Sequence, residues 1–360
     1  MPRVTSTAAA HTIMGEKHIA RLEPVGIEME VDEDETILDA AFRQGLMLMH
    51  GCKEGQCSAC KSFLLDGEVD LDRYSTFALP DYEEQEGYTL LCRAHALSDV
   101  EIELINYDEE VLRSGAPIVT STAEVEAVEE LTHDIRRLVL RLPEPLVFSA
   151  GQYMDIAIPG ADGKHRSFSM ANTPGQPDRL EFMIKLYEGG HFSGLLAESA
   201  NGNGIKVGDA LSCTGPYGMF TLRDSSPRRL VFIAGGAGMA PVISLLRSMV
   251  EKGSTRPAVF YYGARTQADL FALEELERLA AELPDMRFVP ALSEADSTTG
   301  WDGEAGMITD VVDRLEEDLT DVDAYLCGPP PMVDAAVALL ERRGCPEARV
   351  YFDKFTTTAD

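Results

Sequence analysis

The stretch HGCKEGQCSAC (residues 50–60) holds three cysteines in a C-x4-C-x2-C spacing, and a fourth, Cys92, follows thirty-two positions after Cys60. Thiolates at these intervals predict a [2Fe–2S] cluster with Cys52, Cys57, Cys60 and Cys92 as its metal ligands. The residues between them are mostly small, so the loop can fold closely round a cluster and direct backbone N–H groups at its sulfur atoms.

Two other uses of these cysteines are less consistent with the spacing. Structural zinc sites usually show two short cysteine pairs, and disulfide bonds do not explain two intervals of five and three residues. The chain has seven cysteines, and with four of them committed to a redox cluster we expect a reducing, cytoplasmic location. Cys213 and Cys345 have no partner spacing and are expected to be plain thiols.

The length of 360 residues predicts two or three domains, and we expect three. Hydrophobic residues make up 45% and charged residues 26%, as in soluble globular proteins, and no apolar run is long enough to cross a membrane. The first residues contain no apolar segment of a secretory signal. We expect residues 1–14 to form a flexible tail, with Met14 as an alternative start.

The net charge of −30 excludes nucleic acid as a partner, because phosphate backbones bind lysine and arginine. The acids are unevenly spread: residues 1–113 contain 24 Asp and Glu against 9 Lys and Arg, a balance of −15. Solubility explains such acidity, and so does a partner with a basic surface.

Residues 15–107 read as a small unit of sheet and helix around the cysteine loop. Residues 17–31 alternate as a β-hairpin, and a helix is expected from Ile37 to just before Gly45, capped by Asp34 or Thr36. Strands are expected at residues 61–65, 88–91 and 100–105. With its cysteines, this unit resembles a plant-type ferredoxin domain, which has a β-grasp fold of the α+β class. The acidic segment 108–117, ending in Gly and Pro, is the expected linker.

Residues 118–224 show short alternating strands separated by Pro and Gly, which predict an antiparallel β-barrel. The strands are expected at residues 136–142, 153–158, 180–187 and 210–214. Within this barrel the sequence RSFS (residues 166–169) resembles the Arg-x-Tyr-Ser signature of the ferredoxin reductase flavoprotein superfamily. The glycine turn GGHFS (residues 189–193) follows, opening a short helix expected at residues 193–198, where exposed amides bind phosphate.

The resemblance implies a bound FAD and a role for each matching residue. Arg166 would pair with the FAD pyrophosphate, Phe168 would pack on the isoalloxazine ring, and Ser169 would hydrogen-bond near flavin N5. The family more often has Tyr at position 168, so one hydrogen bond to the flavin is in doubt. Without the resemblance, the same residues describe a barrel strand with an exposed arginine. The phosphates would be held by Gly190 and Ser193, and the cofactor-binding set also includes Ser167 and Gly189.

Residues 225–360 alternate apolar runs with helices, which predicts a parallel sheet covered by helices, the α/β class. The first run ends in GGAGMAP (residues 235–241) before a helix expected at residues 242–251. Gly235, Gly236 and Gly238 let the backbone approach a pyrophosphate closely, and Pro241 suits a first helical turn.

Two later motifs complete the expected nicotinamide domain. The sequence CGPPPM (residues 327–332) resembles the family's C-G-P-x-x-M, where Cys327 would face the nicotinamide ring and Gly328 would help to bind the nucleotide; a buried structural cysteine is the alternative. The sequence YFDKF (residues 351–355) would place Phe355 beside the flavin. The residues expected to act in catalysis are therefore Ser169, Cys327 and Phe355.

The order of ferredoxin, flavin and nicotinamide domains is similar to that of the reductase components of multicomponent bacterial oxygenases. The amino-acid sequence around Cys92 most resembles that of reductases of soluble diiron monooxygenases of the propane, short-alkane or cyclic-ether type. The resemblance implies a monomer that takes a hydride from NADH to FAD and passes single electrons through the cluster to a hydroxylase, which would dock on the acidic ferredoxin domain.

Other functions remain open at this stage. The reductase of an aromatic-ring dioxygenase shares every motif. A redox sensor or carrier would not need intact flavin and nucleotide motifs, and a standalone oxidase or diaphorase would not need an acidic partner face. For the nucleotide, Asp269, Glu294 and Asp296 outnumber Arg265 near the ends of the second and third predicted strands of the last domain, so we expect NADH rather than NADPH.

Overall fold

The computed structural model describes residues 17–113, 115–296 and 300–355, which form two compact units divided between Pro117 and Ile118. The tail expected at residues 1–14 lies outside this part of the chain. Every helix within it is too short or too polar to span a lipid bilayer.

The first unit is built on a mixed five-stranded sheet and a separate two-stranded sheet. Its strands are β1 (Lys17–Glu23), β2 (Ile27–Asp32), β3 (Lys61–Asp66), β4 (Val69–Leu71), β5 (Tyr88–Leu90), β6 (Ala94–Ala96) and β7 (Val100–Glu103). The larger sheet has the order β2-β1-β7-β3-β5, and β4 pairs with β6. The hairpin of β1 and β2 is antiparallel, while β1 and β7 are parallel. The expected ferredoxin-like α+β fold is confirmed.

Three short helices complete this unit: α1 (Ile37–Arg43), α2 (Asp81–Gln85) and α3 (Glu109–Arg113). Of the two expected caps, Thr36 begins α1, and its hydroxyl accepts a hydrogen bond from the Asp39 backbone N–H at 3.1 Å. Such a cap satisfies one of the donors that a helix start leaves unpaired. The apolar face of α1 is buried, which holds the start of the cysteine loop against the unit.

The segment 108–117, expected to be a linker, instead contains α3 and packs on the first unit. Val111 and Leu112 are buried, and the Met47 backbone N–H donates to the Leu112 carbonyl at 3.2 Å. Acidic residues are the most prominent feature of this segment's composition. Its packing is decided instead by Val111 and Leu112, because burial removes these apolar side chains from water.

The second unit begins with a six-stranded antiparallel sheet of order β11-β10-β13-β8-β9-β12. Its strands are β8 (Val119–Thr132), β9 (Ile135–Arg141), β10 (Tyr153–Ala157), β11 (His165–Ser169), β12 (Arg179–Lys185) and β13 (Ala210–Tyr217). An antiparallel bridge between Met170 and Phe182 links the two edges of the sheet. The expected barrel is therefore confirmed. The helix expected at residues 193–198 is α4 (His191–Ala197).

The rest of the second unit is a six-stranded, all-parallel sheet with the order β17-β16-β15-β14-β18-β19, as expected. Its strands are β14 (Arg229–Gly235), β15 (Ala258–Ala264), β16 (Met286–Leu292), β17 (Glu304–Ala305), β18 (Val322–Gly328) and β19 (Val350–Lys354), and its helices are α5 (Met239–Glu251), α6 (Leu273–Glu282), α7 (Ile308–Leu315) and α8 (Pro330–Arg342). Chain order reverses between β14 and β18, and ligands of such sheets bind outside the carboxyl ends of the strands at that point.

A buried charge network joins α5 to the barrel. The Arg247 guanidinium donates to the Ala171 carbonyl at 2.8 Å, to Glu181 at 3.2 Å and twice to Glu275 at 2.7 and 3.0 Å. Arg137 also donates to Glu181 at 2.9 Å. Burial raises the pKa of Glu181, but the two arginines outweigh it and hold that pKa below its usual range. The helix after the glycine turn is thus fixed against the barrel by charge-assisted hydrogen bonds.

A second link between barrel and parallel sheet is Asp353 on β19. Its carboxylate accepts a hydrogen bond from the Ser169 hydroxyl at 3.3 Å. Burial raises the pKa of Asp353 to about 6, and the Ser169 hydrogen bond opposes this only in part. A carboxylate in this position destabilises the folded state once it is ionised.

We expect Asp353→Asn to stabilise the second unit at pH 8 and to lose most of this advantage towards pH 4. The folded-state pKa of about 6 lies above the ordinary value of 3.8, so the cost of ionisation grows as the pH rises through this window and is complete above it. Because the residue keeps some solvent exposure, we expect a gain of about 2 kcal/mol at pH 8.

Urea unfolding followed by flavin fluorescence between pH 4 and pH 8 measures this effect. Asp285→Asn, at an exposed position, is the matched control and should change little at either pH. Equal stability of Asp353→Asn and wild type at pH 8 would contradict the prediction, as would a gain that does not depend on pH.

Candidate functional site

The four cysteines of the predicted cluster lie together in the first unit. Cys52, Cys57 and Cys60 belong to the loop between α1 and β3, and Cys92 follows β5. The Sγ atoms of Cys60 and Cys92 are 3.4 Å apart, and the thiols of Cys52 and Cys57 share a hydrogen bond. All four are free thiols.

Backbone N–H groups of the loop point at these sulfur atoms. Those of Glu54 and Gln56 donate to Cys52 Sγ at 3.4 and 3.2 Å, and that of Cys52 donates to Cys57 Sγ at 3.4 Å. Together with the larger effect of the hydrogen bond from Cys57, these donors lower the pKa of Cys52 to about 4. The loop therefore stabilises the thiolate of Cys52, the form that binds iron, while the hydrogen bond with Cys52 and burial raise the pKa of the Cys57 thiol.

Two further observations fit a cluster. A Cβ atom added to Gly55, whose φ is +68°, would lie 2.8 Å from Tyr74 Cβ and 3.0 Å from Arg93 Cγ, so the loop is wrapped as tightly as its small residues allow. The Nε of Arg93 is buried without a hydrogen-bond partner among the described residues. Four cysteine sulfur atoms that lie together suit the iron atoms of a [2Fe–2S] centre. N–H donors that point towards them suit its sulfur atoms.

The predicted flavin residues lie on β11 of the barrel. Along this strand Arg166 and Phe168 lie on one face and Ser167 and Ser169 on the other, because strand side chains alternate. Phe168 is half-buried, and its ring centroid lies 5.0 Å from that of Phe192 on α4. Ser167 donates to Asp155, and Ser169, at the strand end, donates to Asp353.

The glycine turn before α4 is held by its own serine. The Ser193 hydroxyl accepts a hydrogen bond from the Tyr187 backbone N–H at 3.2 Å and approaches the Tyr187 carbonyl at 3.4 Å. Gly190 is the residue before the first helical residue of α4, and Gly189 has a positive φ of +73°. The Ser193 side chain thus shapes the turn, and the Gly190 N–H closes it by donating to the Tyr187 carbonyl at 3.1 Å.

The two nucleotide motifs meet at the carboxyl ends of β14 and β18. Gly235 ends β14, and a 3-10 turn at Gly236–Gly238 leads into α5, which begins at Met239 rather than at the expected residue 242. Pro241 lies within the first turn of this helix, where a missing N–H costs nothing. A Cβ atom on Gly238 would collide with the Cys327 carbonyl and lie 2.7 Å from Gly328 Cα, so glycine is required for this contact.

Two of the three residues predicted to act in catalysis, Ser169 and Cys327, lie beside the half-buried carboxylate of Asp353. Cys327 is fully buried and lies opposite Asp353 in the register of β18 and β19. Burial, and to a smaller extent Asp353, raises the pKa of the Cys327 thiol well above its usual value. Ser169 donates to Asp353, and the Phe355 backbone N–H donates to the Gly328 carbonyl at 3.0 Å.

Asp353 itself was missed by sequence reasoning, which considered only the aromatic residues of YFDKF. The available signal was an acid flanked by aromatic side chains in a strand that closes a buried sheet. Its carboxylate accepts the hydrogen bond of Ser169, and the residue lies opposite Cys327 on the neighbouring strand. The residue therefore joins the candidate site.

A further cluster consists of His133, Asp134 and Asp269, whose side-chain ligand atoms lie within 4.8 Å of one another. Sequence analysis assigned no role to the histidines. Lys185 lies 2.7 Å from Asp134, and Arg265 lies 3.5 Å from Asp269. Both carboxylates are thus already matched by cations.

Comparison with known families agrees with this three-part site. The 2Fe-2S iron-sulfur cluster binding domain family matches residues 20–97. The oxidoreductase FAD-binding domain family matches residues 122–222, and the oxidoreductase NAD-binding domain family matches residues 232–338. FAD, a [2Fe–2S] cluster and NADH are therefore the cofactors of this chain.

Relatives of known function match along nearly the whole chain. The reductase component of propane 2-monooxygenase from Gordonia sp. (strain TY-5) is 52% identical over 350 residues, which cover 96% of this chain and 99% of that protein. The reductase component of phenol 2-monooxygenase from Pseudomonas sp. (strain CF600) is 40% identical and covers 94% of each chain.

Among solved structures, an Amycolatopsis cytochrome P450 reductase is similar with a TM-score of 0.80 and 32% identity, covering 94% of this chain and 99% of that one. These matches run along nearly the whole of each chain, so they span the cysteine loop, the flavin strand and the nucleotide turn described above. The chain belongs to the family of reductases that join a [2Fe–2S] domain to FAD- and NAD-binding domains, and it is an NAD-dependent flavin iron–sulfur oxidoreductase.

Proposed function

We propose that this chain is the reductase component of a propane or short-alkane monooxygenase. It takes a hydride from NADH to FAD and delivers single electrons through the [2Fe–2S] cluster to a hydroxylase component. The observation that carries the proposal is the 52% identity to a propane 2-monooxygenase reductase over 99% of that protein. The need for NADH and the presence of seven free thiols support a cytoplasmic location. We also propose that the chain acts as a monomer.

When bound, FAD can accept an electron pair and release single electrons, and the cluster can transfer one electron at a time. The two groups together match a hydride donor to a one-electron acceptor. The protein residues bind and orient these groups. In the first unit, Cys52, Cys57, Cys60 and Cys92 ligate iron, while the loop N–H groups stabilise charge on sulfur.

In the barrel, Arg166 pairs with the FAD pyrophosphate, and Phe168 provides a surface for the isoalloxazine ring. The glycine turn at Gly189 and Gly190 and the start of α4 hold the FAD phosphates, in a turn whose shape Ser193 maintains. Ser167, bonded to Asp155, fixes the strand that carries these residues.

At the junction with the parallel sheet, Ser169 and Cys327 would lie next to the reacting rings of flavin and nicotinamide, and Phe355 would cover the flavin. Gly235, Gly236 and Gly238 admit the nucleotide pyrophosphate at the start of α5, where Pro241 and Gly328 shape the surrounding turns. Asp353 orients the Ser169 hydroxyl through their hydrogen bond. The fully buried Cys327 excludes water from this place.

The partner surface is proposed to be the acidic face beside the cluster loop. Glu54 and Asp81 are exposed, and the Phe77 side chain, 93% exposed, lies in the segment whose Ser75 N–H donates to the Gly55 carbonyl. Glu83 is already paired with Lys61, so it contributes less to the field. An aromatic residue surrounded by acids suits a partner with a basic rim and an apolar centre.

We expect Cys57→Ser to remove the cluster and leave the flavin in place, because Cys57 lies in the first unit and the flavin residues lie in the second. NADH-driven ferricyanide reduction should stay near the wild-type rate, whereas reduction of the hydroxylase should fail. Iron content, the flavin spectrum and both rates measure this. Cys345→Ser, a thiol in the second unit, is the control, and joint loss of both activities would refute the separation.

We expect NADH to exceed NADPH in kcat/KM by at least about tenfold, the ratio given by about 1.4 kcal/mol of differential binding. At the end of β15, Arg265 pairs with Asp269 at 3.5 Å instead of being available to a 2′-phosphate. In steady-state kinetics, Asp269→Asn should lower the ratio of kcat/KM with NADH to kcat/KM with NADPH. Glu277→Gln, at an exposed position of α6, should leave this ratio unchanged. An equal or better kcat/KM with NADPH for the wild type would overturn this expectation.

We expect the double change Glu54→Lys and Asp81→Lys to slow electron transfer to the hydroxylase at low salt without altering the cluster spectrum. Charge steering acts on the association rate and is screened over about 10 Å at 0.1 M salt, so the wild-type rate should fall as salt rises while ferricyanide turnover changes much less. Stopped-flow kinetics measure both. The same changes at Glu277 and Glu341 are the control, and a wild-type rate that is flat with salt would leave the acids with a solubilising role only.

A further inference from the structure

The residue that follows the fourth predicted ligand is fixed by its backbone. The Arg93 N–H donates to the Leu90 carbonyl at 2.8 Å, and the Arg93 carbonyl accepts from the Asp72 N–H at 2.8 Å. These bonds hold the short connection between β5 and β6. The Arg93 side chain therefore starts from a defined position next to Cys92.

This side chain reaches back forty residues to the cysteine loop. Its Nη2 donates to the Lys53 carbonyl at 2.6 Å, and its Cγ lies 3.0 Å from where a Cβ of Gly55 would be. Its Nε is buried and has no hydrogen-bond partner among the described residues. A buried, unpaired donor is costly, and Arg93 and Cys92 together line a cavity of about 290 Å³.

The carbonyl that Arg93 binds belongs to a strained residue. Lys53 has a φ of +58°, a left-handed conformation that costs a residue with a side chain roughly 1–2 kcal/mol. This turn allows the N–H groups of Glu54 and Gln56 to reach Cys52 Sγ and that of Gly55 to reach Cys92. A hydrogen bond from a charged donor to the Lys53 carbonyl stabilises the turn in the form that presents these donors.

The charge of Arg93 is only partly neutralised. Its nearest acid, Asp72, lies 3.8 Å from Nη1, has 52% of its side chain exposed and is shared with His95 at 3.2 Å. Reduction adds one electron, and hence one negative charge, to a [2Fe–2S] cluster. A cation held beside the cluster stabilises the reduced form more than the oxidised form, and net charge and hydrogen bonds are established determinants of cluster potential.

We propose that Arg93 is a positioning residue for the cluster: it clamps the Lys53 turn of the ligand loop, and its guanidinium raises the cluster's reduction potential. This inference rests on the cluster-binding role proposed above for the four cysteines. The Arg93 side chain thus helps to fix the shape of the loop and contributes part of the driving force for electron transfer from the flavin.

The test compares Arg93→Gln, which removes charge and clamp, with Arg93→Lys, which keeps the charge but not the planar fork of donors. Arg73→Gln, the same charge change at an exposed position, is the control. The full-length protein is purified with its cofactors, and iron and sulfide are quantified. The midpoint potential is measured by mediated dithionite titration followed by EPR, and cluster loss is timed in the presence of EDTA and air.

Arg93→Gln should shift the midpoint potential to a more negative value and lose its cluster several-fold faster than wild type. Arg93→Lys should keep a potential close to wild type and still lose the cluster faster. Arg73→Gln should match wild type in both measurements. Wild-type protein without iron would refute cluster binding itself, which distinguishes failure of the proposed function from failure of this inference.

Two results would overturn the assignment. A potential in Arg93→Gln equal to that of wild type, or a shift in Arg93→Lys as large as that in Arg93→Gln, removes the electrostatic role. Cluster loss from Arg93→Lys at the wild-type rate removes the clamp. If Arg93→Gln retains too little cluster for titration, that result supports the clamp, and the potential of Arg93→Lys then decides the role of charge.

Discussion

Negative charge on four converging sulfur atoms is the constraint on which the first unit depends. Thiolates that lie 3.4 Å apart, as the Sγ atoms of Cys60 and Cys92 do, repel each other unless a metal and hydrogen-bond donors compensate for their charge. The loop supplies those donors from its backbone, because a helix or strand would have committed the same N–H groups to its own hydrogen bonds. The irregular conformation of residues 50–60 is thus a requirement of the site, and the flanking α1, β3 and β5 hold it in place.

In the second unit, two different architectures provide one reaction site because buried polar contacts fix them against each other. The Ser244 hydroxyl donates to the Asn172 carbonyl at 2.6 Å, and Thr173 donates to Glu251 at 2.5 Å. With Arg247, these contacts place α5 on the barrel segment that directly follows Ser169. Removing one partner of a buried ion pair such as Arg247 and Glu181 typically costs about 3–5 kcal/mol, so the relative position of flavin strand and glycine turn has little freedom.

The sequence was sufficient for features whose signal is local. The cysteine spacing, the alternation of the barrel strands and the glycine turns each lie within a short window, and the family comparisons confirm the fold and cofactors that they imply. Contacts between distant residues carried no such signal. Asp353 meets Ser169 across 184 positions, and Arg93 meets Lys53 across 40; either residue alone looks like an ordinary polar side chain. The helix α3 was missed for a related reason, since only its packing shows that Val111 and Leu112 outweigh the acids beside them. The individual roles of the site residues remain predictions.

Burial of the four cysteines is unequal, and this inequality bears on where electrons leave. Cys60 and Cys92 are buried, whereas Cys52 and Cys57 are half-buried. Because the rate of electron transfer falls steeply with distance, an acceptor gains most by approaching the side of Cys52 and Cys57. Exposed Glu54 lies between these two ligands in the loop, and the Gly55 carbonyl bonds to the segment that presents Phe77. The two less buried ligands, the exposed Glu54 and the bond to the segment that carries Phe77 therefore coincide within residues 52–57 of the loop. A general solubilising role for the acids would not require that coincidence, whereas a docking surface for an electron acceptor would.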